Sequence, residues 1–334
     1  MKNYTNQKKR VLLKVCLFAG NILLLGSMPS MVLAQEWPNK NITFINPFPA
    51  GGGTDAFARP LAAQLTEQLG KQVIIDNRGG AGGTVGASVA AKAAPDGYTW
   101  FIGASHHTIA PSMYKNLDYD IEKSFIPVAM LANVPQVLVV NPQRVSARNA
   151  KEFIELMKKN PGKYNFASAG SGTVHHLAGE LFKIQTGTFI THIPYRGAGP
   201  AMNDLLAGQI DLEFDGLATS APQINAGKLV AIAVASTKRS SAIPNVQTFQ
   251  EAGLPDYVVS TWYSMFAPAG TPKPIVDKMI AEVQKALNNP KLKSIWEKNG
   301  SDTPNLYGEA FGKQVSADVV RWTSVVKKSG AQLD

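Results

Sequence analysis

The chain has 334 residues, 45% of them hydrophobic and 17% charged, enough apolar material for a sizeable core and two domains. Of its 33 basic residues, Lys2, Lys8, Lys9, Arg10 and Lys14 lie in the first 34 positions, where there is no acid. The formal charge of +9 therefore falls to 28 basic against 24 acidic residues beyond them, too mild a surplus to argue for a nucleic-acid partner. The one cysteine, Cys16, also lies in that segment, so the remainder has no disulfide, no thiolate metal site and no cysteine nucleophile.

Residues 1–34 read as a secretory signal. A basic stretch ends at Arg10, an apolar one runs from Val11 to Leu25, and Val32-Leu33-Ala34 offers small residues for a signal peptidase, so cleavage is expected after Ala34. Lys14 and Asn21 interrupt the apolar run, leaving it short of the ~20 residues a membrane span needs. Lys14 and Val15 before Cys16 also argue against lipidation.

The next stretch organises the chain. Ile42, Phe44 and Ile45 give a strand signal. It runs through Asn46-Pro47-Phe48-Pro49-Ala50 into Gly51-Gly52-Gly53-Thr54-Asp55, and Ala58, Leu61, Ala62, Leu65 and Leu69 then line one helix face. Thr54 is the expected N-cap. Glycines permit close approach to a ligand and a helix start carries partial positive charge, so the product is a small anion site.

A second strand, Val73 to Asp76, leads into Asn77-Arg78-Gly79-Gly80-Ala81-Gly82-Gly83 and another helix. Asp96-Gly97 turns into a third strand, Tyr98 to Ile102. This βαβαβ rhythm predicts a parallel sheet flanked by helices. The third strand is read as continuing through Ser105-His106-His107, and ligands in open α/β sheets sit outside such ends. Adjacent histidines on a strand point to opposite faces, so no metal site is expected there.

Two further strands are expected at Ile126 to Leu131 and Gln136 to Val140. A new unit then opens with a helix from Ala150. The strand Tyr164 to Ala167 runs into Ser168-Ala169-Gly170-Ser171-Gly172-Thr173 and a helix carrying His175 and His176, which repeats the opening design with Thr173 as the N-cap. The stretch Thr191 to Pro200, with Tyr195, is another strand exit into a helix, and the strand Ile210 to Phe214 ends in Asp215-Gly216. Leu229 to Ala235 reads as a central strand. The segment Pro255 to Pro268 can return the chain to the first domain, and the rest reads as helices.

Four loops rich in glycine or hydroxyl groups thus sit at strand ends, two in each half. A ligand between the halves would meet N–H donors from both, which suits a small organic acid. Catalytic signatures are lacking: there is no Gly-x-Ser-x-Gly elbow, no His-Glu-x-x-His helix, no Walker lysine and no dinucleotide fingerprint. No cofactor and no metal is expected.

The segments Pro47-Phe48-Pro49-Ala50-Gly51-Gly52-Gly53-Thr54-Asp55, Asn77-Arg78-Gly79-Gly80-Ala81-Gly82-Gly83, Pro95-Asp96-Gly97-Tyr98-Thr99, Pro194-Tyr195-Arg196-Gly197 and Ala267-Pro268-Ala269-Gly270-Thr271-Pro272 resemble, in order, the substrate-binding proteins of tripartite tricarboxylate transporters, the Bug receptors. The resemblance implies an α/β, two-lobe, periplasmic-binding-protein-like (type II) fold. Each lobe would be a mostly parallel sheet flanked by helices, and two crossover strands would join them. Lobe 1 would comprise residues 35–137 plus 256–334, and lobe 2 residues 138–255.

It also implies a periplasmic receptor, monomeric by default, that closes on a carboxylated solute and delivers it to membrane transporter subunits. The loops with Gly53, Thr54 and Asp55 and with Ser168, Gly170, Ser171, Gly172 and Thr173 would hold the carboxylate, partly through water, with Ser105 and Asp215 facing the same cleft. Phe48 would cover the ligand, and His106, His107, His175 and Tyr195 would set specificity at its far end. Relatives often carry a second proline where Ala50 stands. An exported α/β enzyme acting on an organic acid and a sensory receptor for a membrane kinase are the alternatives.

Overall fold

A computed structural model describes residues 37–329; the expected signal segment and its cleavage position after Ala34 lie outside them. Residues from Lys40 onward form one unit. Among the described residues no helix is long and apolar enough to cross a membrane.

The first sheet grows from β1 (Ile42–Asn46), which pairs in parallel with β2 (Val73–Asn77) and β3 (Thr99–Ala104). The helices α1 (Gly53–Leu69) and α2 (Thr84–Ala91) make the right-handed returns such parallel pairs require, and α3 (His106–Met113) follows β3. A late strand, β9 (Ser260–Pro268), inserts antiparallel between β3 and β4 (Phe125–Val140).

Strand β4 joins the two sheets. Two separate strands, Ile126 to Leu131 and Gln136 to Val140, were expected here; the chain instead forms one strand of 16 residues. Its first part pairs with β9 through two register shifts, and from Gln136 it pairs with β7 (Leu212–Gly216) on one side and, from Val137, with β8 (Val230–Val234) on the other. Pro135 falls where pairing passes from one sheet to the other, and irregular ladder positions are where a residue without an N–H donor is tolerated. Strand β8 is an edge strand rather than a central one: among the described strands it pairs with β4 alone, and an isolated bridge joins Val234 to Thr248.

The second sheet continues from β7 to β5 (Asn165–Ser168) and then β6 (Thr191–Pro194), in parallel. Around it lie α4 (Ala150–Lys159), α5 (Val174–Thr186), α6 (Ala198–Leu206) and α7 (Leu217–Asn225). The chain ends in α8 (Lys273–Leu287), α9 (Pro290–Lys298) and α10 (Gly308–Ser329).

The larger core gathers Phe153, Phe166, Phe182, Phe214, Phe249 and Tyr257 beneath the second sheet and extends to Ile109 of α3 and Trp322 of α10. A second core fills the first sheet around Phe101, Phe125, Phe266 and Phe311. This is a two-lobe α/β architecture of the type II binding-protein kind.

Candidate functional site

Four helices begin around one narrow cavity. Its wall is made by Phe48, by Gly52, Gly53 and Thr54 at the start of α1, by His106 at the start of α3, by Ala169 just after β5, by His175 at the start of α5, by Ala198 at the start of α6, and by Tyr263 of β9. Helix N-termini carry unsatisfied N–H groups and partial positive charge, so their convergence creates a positive field without a lysine or arginine in the wall.

The strand-to-helix loop after β1 is held by Asp55. Its carboxylate accepts from the Gly51 N–H at 3.0 Å, from Asn46 Nδ2 at 3.3 Å and from Arg59 Nε at 2.7 Å. Asp55 therefore shapes the loop and does not line the cavity. Thr54 was the expected N-cap, but Gly52 occupies that place and no side chain caps the helix. Released from capping, the Thr54 hydroxyl is buried and unpartnered at the cavity wall.

His106 and His107 are not on a strand, as expected, but in the first turn of α3, since β3 ends at Ala104 and the Thr108 hydroxyl donates back to the Ser105 carbonyl. The Val174 N–H donates to His106 Nδ1 at 3.3 Å. A neutral imidazole accepting there carries its proton on Nε2, which makes His106 a donor. Its ring meets Phe48 edge to face at 5.4 Å. His107 is turned away, stacked edge-on to Phe101, with its Nδ1 accepting from the Ala104 N–H. The Ser105 hydroxyl is buried and unpartnered but is not in the wall.

In the second half Thr173 caps α5 as expected, accepting from the His176 N–H at 3.4 Å, while its hydroxyl donates to the Gly170 carbonyl at 2.7 Å. Ser168 is occupied by His192 Nε2 at 2.6 Å and by the Gly170 N–H at 3.1 Å. The loop Gly170-Ser171-Gly172 packs backbone to backbone against the Gly82 turn of the first half. A Cβ on Gly82 would lie 2.8 Å from the Ser171 carbonyl, and the Tyr114 hydroxyl donates to that carbonyl at 3.0 Å. Tyr195 points elsewhere, its hydroxyl donating to Asp204 at 2.7 Å.

Of the sequence candidates, Phe48, Gly53, Thr54, His106 and His175 meet at the cavity. Asp55, Ser105, Ser168, Gly170, Ser171, Gly172, Thr173, His107, Tyr195 and Asp215 surround it without forming its wall.

Sequence reasoning missed two residues. Tyr263 presses so closely on α1 that a Cβ on Gly53 would fall 2.0 Å from its hydroxyl oxygen. Burial and the Asp215 carboxylate hold its phenol protonated well above the usual range, so it is a donor. Glu213 lies two residues before Asp215 on the same face of β7 and is fully buried. Burial, then the neighbouring Asp215 charge, push its carboxyl well above the usual range. The signal for it was the alternation Leu212-Glu213-Phe214-Asp215, which sets both acids on one face of the strand.

Burial also lowers every histidine: His107 to about 4, His192 to about 3, and His106 well below 6.5. The sign follows directly. Below about pH 6.5 the unfolded chain takes up protons that these folded imidazoles refuse, so stability present above that pH is lost as the pH falls toward 4. The melting temperature of the ligand-free protein is expected to drop by several degrees between about pH 7.5 and about pH 5. A flat profile across that window would contradict buried neutral histidines.

The family model described as "Tripartite tricarboxylate transporter family receptor" matches residues 57–331. The protein BugT of Bordetella pertussis is 34% identical over 316 residues, covering 94% of this chain and 97% of BugT. Among solved structures, Rpa4515 of R. palustris with adipate is 33% identical with a TM-score of 0.85, covering 88% of this chain and 99% of its own. MatC from Rhodopseudomonas palustris with bound malate is 34% identical with a TM-score of 0.82, covering 87% of this chain and 100% of its own. The fold, the sequence relatives and the family match agree: the chain belongs to the tripartite tricarboxylate transporter receptors, in the Bug family.

Proposed function

We propose that this receptor binds a small carboxylated organic acid, a di- or tricarboxylate or an aromatic acid, in the cavity between its two sheets. It would work in the periplasm after cleavage behind Ala34 and pass the acid to tripartite-type membrane transporter subunits. The observation that carries the reading is the convergence of four helix N-termini on a wall that offers the donors of Thr54, His106 and Tyr263. Oriented N–H groups and neutral donors stabilise a carboxylate without the cost of burying a lysine. Adipate and malate in two related structures make dicarboxylates the first ligands to try. The enzyme alternative has little to stand on, because Ser168, which does touch a histidine, meets one whose pKa of about 3 makes it a poor base.

A thermal-shift screen of the purified protein against organic acids, with their amides as neutral controls, tests the proposal. The expected result is a rise of several degrees with one acid and none with its amide, because a ligand that binds only the folded state stabilises it by mass action. His106→Ala should change the ranking of acids; an unchanged ranking removes His106 from the specificity set. Silence toward every acid, before and after unfolding and refolding to strip any carried ligand, would overturn the carboxylate reading.

A further inference from the structure

At His175 the cavity wall continues into a pair of buried acids that the carboxylate proposal does not use. His175 Nδ1 sits 3.6 Å from Asp215 Oδ1 and 3.8 Å from Glu213 Oε1, and one ligand atom from each of the three residues falls within 4.8 Å of the others. The side chains are only 3%, 0% and 0% exposed. Yet among the described residues His175 Nδ1, Asp215 Oδ1 and both oxygens of Glu213 have no hydrogen-bond partner, and no lysine or arginine pairs with either acid. Buried polar atoms are nearly always satisfied, and two carboxylates side by side in a dry interior repel each other. Three residues, each with an orphaned atom and with one ligand atom apiece in one small volume, call for a shared occupant.

We infer that His175, Glu213 and Asp215 form a binding site for one divalent first-row transition cation at the floor of the cleft. The distances of 3.6 and 3.8 Å from His175 Nδ1 to the two acids are near those between neighbouring ligands of a metal. Ligand bonds of about 2.0–2.2 Å place neighbouring donors about 3.3–3.6 Å apart in a tetrahedral site.

One imidazole nitrogen with two carboxylates suits zinc or manganese, whereas magnesium and calcium prefer sets made only of oxygen. Once binding releases the proton held on Glu213, the two carboxylates balance a double positive charge. Asp215 is also oriented from outside, since its other oxygen accepts from the hydroxyls of Thr219 and Ser220, the supporting contact that ligating carboxylates usually have. Three protein ligands leave a coordination position open. Because His175 also belongs to the cavity wall, that position lies next to the space assigned to the solute.

The test uses the chain without a histidine tag, stripped with a chelator and free of organic acid, so that it succeeds or fails independently of the carboxylate proposal. Titration calorimetry with Zn2+ alone and Mn2+ alone should show one equivalent bound, and Mg2+ should bind at least tenfold more weakly. Glu213→Gln, which keeps the shape and removes a charge, should weaken Zn2+ binding more than tenfold. Asp215→Asn should do the same if the first variant fails to fold. Absence of stoichiometric binding by the wild type, binding unchanged in either folded variant, or equal binding of Mg2+ would overturn the inference.

Discussion

Gly199→Ala is expected to weaken solute binding about 10- to 100-fold while leaving the ligand-free protein as stable as the wild type, or slightly more so. Gly199 lies in the first turn of α6, where alanine is the better helix former, so within its own half the change is neutral to favourable. Across the cleft it is not. The added Cβ would lie 2.7 Å from the Ala50 carbonyl oxygen and 3.1 Å from the Gly51 carbonyl carbon, both backbone atoms of the loop that leads into α1. Overpacking against backbone costs about 1–3 kcal/mol, and each 1.4 kcal/mol is about tenfold in affinity.

The two signs separate a contact made on closing from one that is always present. Calorimetry of the solute complex gives the first quantity and ligand-free melting the second. If affinity and ligand-free stability fall together, the two halves touch at Gly199 whether or not solute is bound.

The second large effect is on stability. Phe182→Ala should destabilise the protein by roughly 3–5 kcal/mol, the usual cost of emptying a buried phenylalanine site. Phe182 is fully buried and packs against Phe153, Phe214, Phe249 and Tyr257, a ring of large side chains that cannot collapse into the space without moving β7. Ile184, two residues on in the same helix, is 64% exposed, and Ile184→Ala should change stability by no more than about 0.5 kcal/mol. Chemical denaturation of the pair measures both. A Phe182→Ala loss below about 1 kcal/mol would mean that this core repacks.

These contrasts also explain what the sequence could and could not tell. The loops were legible because their constraints are local. Gly170, with φ of 134°, needs a residue without a Cβ, and Thr173 caps α5 through a bond three residues long. Thr54 looked the same by composition, but Gly52, two residues earlier, took the capping place, and only the backbone path around Asp55 decides which residue comes first.

Tyr263 reaches the cavity through a register in which it pairs with Ala104, a contact between distant parts of the chain that no window of sequence contains. Glu213 and Asp215 share a face by strand periodicity, but their approach to His175 depends on how α5 docks over β7. Strand β4 runs on through Pro135 for the same reason: whether a proline ends a strand depends on what its neighbours ask of the missing donor.

Where β9 sits in the first sheet sets the order in which this protein can assemble. Strands β1, β2 and β3 are made early, yet β3 meets its neighbour β9 only after roughly 160 more residues have been made, a separation of the kind that slows folding. The strands β5, β6, β7 and β8 lie between those partners in sequence and pair among themselves and with the end of β4. An emerging chain can therefore complete the later sheet first, while the earlier one waits with an unpaired β3 edge. That interval is when the apolar run Trp100 to Ile102 is most open to wrong partners, and it closes only when the final quarter of the chain arrives.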